Sequence, residues 1–306
     1  YTVDPAALPY SRTQERTQAT DEAGELTNVC SKSTSRSLWW SFTPTVDGSY
    51  QINTFGTNTS ATDPVLSVYT GSAVNALTEI GCNDDGAIAN LNSSLTLALT
   101  SGTTYRIRIA DRVGLNFGLV TLNVQRILPV VSIAAQDATA SEAPDAGTFR
   151  ITRTGDTTFP LSVTYTVGGS ATQFIDYSPL LNGTVIIPAN QAFVDLVITP
   201  VNDQIDETDE TVELTLTDGS DYDLDTITNA IVTIADDDTA GVLVDTSSIG
   251  ALPEDNTLVT TSFSIMLQTP PTSSVSISLS TDGQCSLNTD TVTLPANAIA
   301  SQSLIV

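Results

Sequence analysis

The nine residues Asn202-Asp203-Gln204-Ile205-Asp206-Glu207-Thr208-Asp209-Glu210 carry five carboxylates, and a second acidic group, Asp236-Asp237-Asp238, lies further along the chain. Both groups abut segments of alternating apolar and polar residues. Phe193 to Thr199 and Thr211 to Thr217 flank the first, and Ala230 to Ile234 leads into the second. Such alternation marks half-buried strands, so the carboxylates collect at strand ends. Carboxylates crowded into a partly desolvated place repel one another unless something cationic sits between them. Side chains cannot fill that role, because residues 129–238 hold 19 Asp and Glu against Arg150 and Arg153 alone. A hard divalent cation with an all-oxygen shell is the natural counter-charge. Ca²⁺, with its larger and more flexible shell, suits such a set better than Mg²⁺. For one acidic run a solvated loop is the plainer reading; two runs on neighbouring strand ends favour the ion.

The elements that must position these groups are strands. The chain has 306 residues, enough for two or three domains each with its own core. Aromatics are sparse, Thr, Ser, Val and Gly are abundant, and no stretch sustains a 3.6-residue period, which is the composition of an all-β chain of sandwiches. Charge is unevenly spread. Residues 1–128 carry 11 acids and 8 bases, residues 129–238 carry 19 and 2, and residues 239–306 carry 5 and none, which sums to the net −25. No basic face exists to neutralise phosphates, which excludes nucleic acid as a partner. No apolar run approaches the length that spans a membrane, and no signal peptide is visible, so Tyr1 reads as the start of a mature or trimmed chain.

Chemistry other than metal binding finds little support. With no histidine, Ser-His-Asp and Cys-His catalysis and His-ligated zinc are excluded. No CxxC pair, GxSxG elbow or phosphate loop occurs. The dense carboxylates lack an aromatic cleft for glycoside hydrolysis. We expect no enzymatic activity. Cys30 and Cys82, two cysteines within the first domain, imply one disulfide in an oxidising compartment, whereas Cys285 has no evident partner. Asn58, Asn92 and Asn182 begin N-x-Ser/Thr patterns, candidate surface glycosylation sites.

Taken in order, residues 1–30 are polar and read as irregular. Strands come next at Ser37 to Phe42, Tyr50 to Thr54, Val65 to Tyr69, Ser94 to Leu99, Tyr105 to Ala110 and Gly118 to Val124, with a turn at Asp84-Asp85-Gly86. Alternation through Trp39-Trp40 places one indole in the core and one at the surface. Leu38-Trp39-Trp40-Ser41-Phe42-Thr43, Asp63-Pro64-Val65-Leu66-Ser67-Val68-Tyr69-Thr70-Gly71, Cys82-Asn83-Asp84-Asp85 and Ser101-Gly102-Thr103-Thr104-Tyr105-Arg106-Ile107 resemble a bacterial pre-peptidase C-terminal domain. That family is a jelly-roll-like module of secreted peptidases and large surface proteins. The resemblance covers roughly residues 15–126 and implies calcium at Glu22, Glu25, Asn83, Asp84 and Asp85.

Beyond the linker Ile127-Leu128-Pro129, residues 131–238 resemble a Calx-beta domain, the immunoglobulin-like calcium-binding sandwich of sodium–calcium exchangers and many bacterial surface proteins. Ala140-Ser141-Glu142, Ile151-Thr152-Arg153-Thr154-Gly155, Phe174-Ile175-Asp176-Tyr177, Thr211-Val212-Glu213-Leu214 and Ile234-Ala235-Asp236-Asp237-Asp238 carry that resemblance. It implies Ca²⁺ ligands at Glu142, Asp176, Asp203, the Ile205 carbonyl, Glu207, Glu210, Asp236, Asp237 and Asp238. Asn202 stands where an exchanger domain has a carboxylate. Residues 241–306 resemble, more weakly, the opening of another such domain, joined stiffly through Thr239-Ala240-Gly241.

The expected organisation is therefore 1–128, 129–238 and a partial domain at 239–306. The expected function is a non-catalytic, calcium-binding structural or adhesive protein, secreted and displayed at a cell surface as a rod of sandwiches. Its partners would be calcium ions and either further copies of itself, in a filament or array, or a host or cell-surface ligand. The alternative is an accessory region of a secreted hydrolase whose catalytic domain lies outside this sequence. For self-assembly the expected device is strand addition, with residues 1–9, which have no obvious core of their own, completing the third domain of a neighbour.

Overall fold

The computed structural model describes residues 1–57, 62–85, 91–112, 118–249, 261–271, 273–281, 286–296 and 301–305. Cys285, Asn58 and the motif Pro253-Glu254-Asp255-Asn256 lie outside them. The described residues are strands, turns and two short 3-10 turns at Pro5–Ala7 and Val74–Ala76, the all-β class expected. Among them no helix is long and apolar enough to cross a membrane.

Ten strands build the first pair of sheets: β1 (Thr2–Val3), β2 (Tyr10–Glu15), β3 (Asn28–Val29), β4 (Lys32–Phe42), β5 (Gly48–Asn53), β6 (Pro64–Thr70), β7 (Thr78–Asn83), β8 (Ser94–Leu99), β9 (Tyr105–Arg112) and β10 (Leu119–Ile127). One sheet runs β1-β4-β9-β6-β7, with β3 beside β4, and the other runs β2-β10-β5-β8. Their inner faces share a core of Trp40, Phe42, Tyr50, Ile52, Leu66, Val68, Ile107, Ile109, Val120 and Leu122. Trp40 is the core indole. Trp39, only half-buried, tilts against Tyr69 with ring centroids 5.8 Å apart.

The N-terminal segment departs from expectation. Residues 1–30 are not irregular throughout: β1 pairs in parallel with β4, Thr2 against Ser41 and Val3 against Phe42, and β2 pairs along β10. Val3 is fully buried in the first core, with Leu8 packed against it. These residues already have a sheet and a core within their own chain, so they are not a free strand for a neighbour. Two apolar side chains, one of them on a two-residue strand, carry no periodic signal from which to see this. Asn92 is buried as well, and its side-chain oxygen faces the Thr54 hydroxyl at 3.4 Å, so it is no surface glycan site. Asn182 is exposed.

The second pair of sheets comprises β11 (Val130–Asp137), β12 (Thr139–Ser141), β13 (Gly147–Arg153), β14 (Leu161–Gly169), β15 (Tyr177–Ser178), β16 (Thr184–Ile187), β17 (Phe193–Pro200), β18 (Glu210–Leu216), β19 (Asp223–Leu224) and β20 (Asn229–Ala235). The sheets run β15-β17-β13-β11-β19 and β12-β20-β18-β14-β16. Alternation of buried and partly exposed positions along β13, and of buried and exposed ones along the first part of β14, sends Phe149, Ile151, Val163 and Tyr165 inward to meet Val212, Leu214 and Val232. Gly169, at φ +104, ends β14 where any Cβ would collide with the Thr211 carbonyl, and so lets the backbone reach the start of β18. The third region holds β21 (Val242–Asp245), β22 (Ser262–Leu267), β23 (Val275–Ser278), β24 (Thr291–Leu294) and β25 (Ser301–Ile305), in sheets β21-β22-β25 and β23-β24, around Ile265, Leu267, Val292, Leu294 and Leu304.

Cys30 and Cys82 form a disulfide across a sequence separation of 52. It ties the β3–β4 hairpin to the end of β7. On the chain-entropy model, closing a loop of that size stabilises by about 4 kcal/mol. The double variant Cys30→Ser/Cys82→Ser should therefore lower the unfolding free energy of the first sandwich by an amount of that order, read as a lower chemical-denaturation midpoint. An unchanged midpoint would show that the bond constrains nothing in the unfolded chain.

Candidate metal centre

Strand register dictates where the carboxylates of the second sandwich meet. Glu210 opens β18 opposite Ile234 of β20, so Asp236, Asp237 and Asp238 run on past it. In the same sheet β12 lies parallel to β20 with Ser141 against Ala235, and the Glu142 N–H donates to the Ala235 carbonyl at 3.1 Å. That brings Glu142 beside the Asp triplet. From the other sheet, β17 ends at Pro200 and sends the 202–210 loop across. Asp176, just before β15, is bound to the same end because the Val201 N–H donates to its carbonyl at 2.9 Å.

Two clusters result. Glu142, Asp203 and Asp238 each offer a carboxylate oxygen within 4.8 Å of the others, and Asp176, Glu207 and Glu210 do the same. Asn202 braces the first cluster: its side-chain N–H groups donate to the Glu142 carbonyl at 2.9 Å and to Asp237 Oδ1 at 3.3 Å. The Asp203 N–H donates to Glu142 Oε2 at 3.3 Å, and the Ile205 N–H to Asp203 Oδ1 at 2.7 Å. A carboxylate at position 202 would have no proton to give these two oxygens, so the asparagine supplies a brace that an acid could not. Thr172 holds Asp176 through its backbone N–H. Buried and without a hydrogen-bond partner among the described residues are Asp236 Oδ1 and Asp238 Oδ2.

Cations are committed elsewhere. Arg150 pairs with Asp195 through two hydrogen bonds, at 2.7 and 2.8 Å, while its guanidinium lies over the Phe193 ring. Arg153 is buried and gives its protons to the carbonyls of Thr157, Phe159, Pro188 and Gln191. Neither arginine pairs with a residue of either cluster.

Crowding shows in the acidities. Glu210 is pushed up to about 7, first by burial, then by its hydrogen bond to Asp176 and the charges of Asp176, Glu207 and Glu142. Burial and then neighbouring carboxylates also raise Glu142, Glu207 and Asp238.

No protein-family model matches the chain, and no curated protein does. Among solved structures, the apo form of the Calx CBD1 domain is similar at 22% identity and a TM-score of 0.32, covering 37% of this chain and 100% of that one. The CBD12 calcium binding domain of CALX1.1 is similar at 20% identity and a TM-score of 0.31, covering 56% and 74%. A GH2 beta-galacturonidase from Eisenbergiella tayi bound to galacturonate is similar at 8% identity and a TM-score of 0.25, covering 85% and 46%. At these scores none of the likenesses bears on function.

In the first sandwich the candidate residues separate. Glu25 is buried away from the Asp84 turn: its Oε1 accepts from Ser37 Oγ at 2.6 Å and from the Trp39 indole, and its Oε2 faces Arg108 at 3.4 Å. An acid spent on an arginine, an indole and a hydroxyl is a structural anchor. Glu22 is exposed near Trp39 and Arg106. Asn83 points its side chain inward along the chain, accepting from the Ser94 N–H and donating to the Asp85 carbonyl. Asp84 and Asp85 instead cluster with Asp63, which opens one motif of the resemblance but is not among the ligands it implies; it lies 21 positions away, before a separate strand.

The raised acids fix the pH response of the metal-free protein. Glu210 binds its proton more tightly in the fold, at about 7, than at its ordinary 4.5. Its stabilising contribution is therefore fully present below the unfolded value and lost as pH rises through the folded one. Asp195, which Arg150 holds down, titrates below this window. In chelator, the melting temperature should fall between about pH 5 and about pH 8, and Glu210→Gln should flatten the fall. A melting temperature that rises over this range would contradict the assignment of crowded, cation-free carboxylates.

Proposed function

We propose that residues 129–238 form a calcium-binding sandwich within a non-catalytic, extracellular structural protein organised as 1–128, 129–238 and 239–306. Its role is that of a stiffened segment in a surface protein, adhesin or filament. The observation that carries this reading is the pair of carboxylate clusters with no cationic partner among the described residues, where Asp238 of one cluster and its neighbour Asp236 leave buried oxygens unpaired. A calcium ion answers both deficits: it supplies two positive charges and accepts several oxygens at once. The ligands are Glu142, Asp203 and Asp236 to Asp238 on one side and Asp176, Glu207 and Glu210 on the other, together with the Ile205 carbonyl.

Position gives the ions a mechanical role. The 202–210 loop borders the third region: Asp206 shares a groove of about 370 Å³ with Gly241, Val242, Leu267, Pro270 and Pro271. Only Thr239 and Ala240 separate the last acid from Gly241. An ion that locks this loop also limits the swing of the third region. The disulfide belongs with an oxidising, extracellular setting.

Calorimetric titration of the metal-free chain with Ca²⁺ tests the proposal. Saturable binding is expected, weakened at least about tenfold by Asp203→Asn and separately by Glu207→Gln, with a melting temperature that climbs with free Ca²⁺. Scattering should show a narrower distribution of end-to-end dimensions in calcium than in chelator. Absence of heat and of any thermal shift at millimolar calcium would end the reading.

A further inference from the structure

The outer face of the first sandwich's larger sheet carries side chains that its core does not use. Leu66 and Val68 of β6 enter the core, so Ser67 and Tyr69 point to the other side. Register sets Arg108 of β9 opposite both Ser67 and Trp39, and Arg106 opposite Tyr69. The surface indole, a phenol and two guanidinium groups thus share one patch. Two segments wall it, residues 22–26 and the turn at Val74–Ala76. They meet where Gly24, at φ +92, lies against Asn75, close enough that a Cβ on the glycine would stand 3.1 Å from the Asn75 Cβ. The hollow so formed has two spaces with Trp39 and Leu77 in the walls of both. The inner one, of about 70 Å³, reaches Glu25, Tyr69 and Arg108, and the outer one, of about 240 Å³, is rimmed by Glu22 and Arg106. Between them they come to the lower end of the range for small-molecule sites, roughly 300 Å³.

The inner groups are held in place yet incompletely used. Glu25 Oε1 takes the Trp39 indole N–H and the Ser37 hydroxyl, and its Oε2 faces Arg108 Nη2 at 3.4 Å. Arg108 Nη1 donates to the Thr34 hydroxyl at 3.3 Å, and the guanidinium carbon lies 5.8 Å from the Trp39 ring centroid. Arg108 Nε, by contrast, has no hydrogen-bond partner among the described residues. The Tyr69 and Ser67 hydroxyls, which lie beside each other there, have none either. Tyr69 and Arg108 are 1% and 2% exposed. Buried polar groups left unpaired are costly, so the inner space favours a guest that pairs with them.

The chemistry of that guest follows by elimination. Arg106 and Arg108 only donate, Glu22 and Glu25 only accept when ionised, and the Tyr69 hydroxyl does both. Two guanidinium groups against two carboxylates leave the hollow neutral. A carboxylate guest would be driven off by Glu22 and Glu25, and an ammonium by Arg106 and Arg108. A hydroxyl suits every group present, because it accepts from Arg108 Nε while it donates to Tyr69 or to a glutamate. Trp39 and Leu77 add an apolar wall that rewards C–H surface. Several hydroxyls set around an apolar face describe a sugar ring. We propose that this hollow binds a neutral saccharide, one ring lying against Trp39 in the outer space and sending a hydroxyl inward to Arg108 Nε and Tyr69. Glu25 fixes the indole beforehand, so little ordering is left to binding. The net charge of −25 further disfavours polyanionic glycans. None of the second sandwich's carboxylates takes part, so the site stands independently of the calcium reading.

The chain's two tryptophans give one reporter at the site and one control in the core. In the full chain with ¹⁵N-labelled indoles, the Trp39 N–H signal is identified by its loss in Trp39→Phe. It is then followed during titration with neutral oligosaccharides of glucose, mannose, galactose and N-acetylglucosamine. At least one of these should move the Trp39 signal saturably in the millimolar range, while the Trp40 signal moves far less. Arg106→Ala, at the outer rim and outside the core, should weaken that response about tenfold. Trp39→Ala, with an unchanged Trp40 signal as the check on folding, should abolish saturation transfer from protein to sugar. A Trp39 signal that no member of the set moves at millimolar sugar overturns the proposal. So does a response that Arg106→Ala leaves intact, or one confined to uronic-acid or glucosamine oligomers, whose charge the hollow should reject. The same responses are expected with Asp203→Asn and Glu207→Gln in place, which keeps this test separate from the one for calcium.

Discussion

Like charge held at fixed strand ends is the constraint around which the chain is arranged. A packed sandwich core sets the register of every strand, and register sets where the next residue after a strand must emerge. Glu210 cannot retreat from Asp176, nor Glu142 from Asp238, without sliding β18 along β20 or β12 along β20. A slip by one residue would turn Val212, Leu214, Val232 and Ile234 out of the core. The apolar interior thus enforces an electrostatic arrangement that the carboxylates alone would disperse. The weakened acidities of Glu142, Glu207 and Glu210, driven first by burial and then by neighbouring carboxylates, are the record of that enforcement.

The chain meets the problem in two ways. In the first sandwich buried acids are matched by arginines from distant strands: Arg16 with Asp111, both fully buried, and Arg108 with Glu25. A fixed internal cation of this kind needs no counter-ion from solution. In the second sandwich the arginines are used up on carbonyls and on Asp195, and the acids stay uncompensated. Stability there is left open to protons and, on the proposed reading, to calcium, which would act on the same oxygens. Protons favour the neutral acid below about 7 at Glu210, and a divalent ion favours the anion above it.

How much of the fold is legible in the sequence depends on the range of each interaction. Alternation along Gly147 to Arg153 is a local signal, and the structure buries every second residue there. Acid runs are local too, so the 202–210 and 236–238 groups are visible as chemistry before any fold. Long-range partnerships are not. Nothing in the composition of residues 1–9 says that Val3 enters the first core, because two strand residues carry no period. Glu25 enters as a ligand only through the family resemblance of its segment, while the Arg108 that engages it lies 83 residues away. Asp63 escapes notice for the converse reason: its partners Asp84 and Asp85 sit across a hairpin whose register only the folded sheet defines. The Asn92 pattern misleads because a sequon records three residues and says nothing of burial.

The unequal use of arginine also explains the asymmetry of charge. Had the second sandwich paired its acids internally, six clustered carboxylates would have required guanidinium groups at strand ends, each long enough to cross between sheets. Those ends are where the 202–210 loop must close against Gly241 and Val242. A guanidinium brings five protons in one plane and satisfies one or two acids. An ion of small radius satisfies six or more oxygens from any direction and leaves no side chain in the way. Asn202 fits the same economy of space: a short amide that donates to both the Glu142 carbonyl and Asp237 Oδ1 fixes two acid-bearing segments where a longer or negative side chain would push them apart. The scarcity of basic residues in 129–238 is therefore a consequence of how the strand ends close, and the loop that closes them is the one that meets the third region.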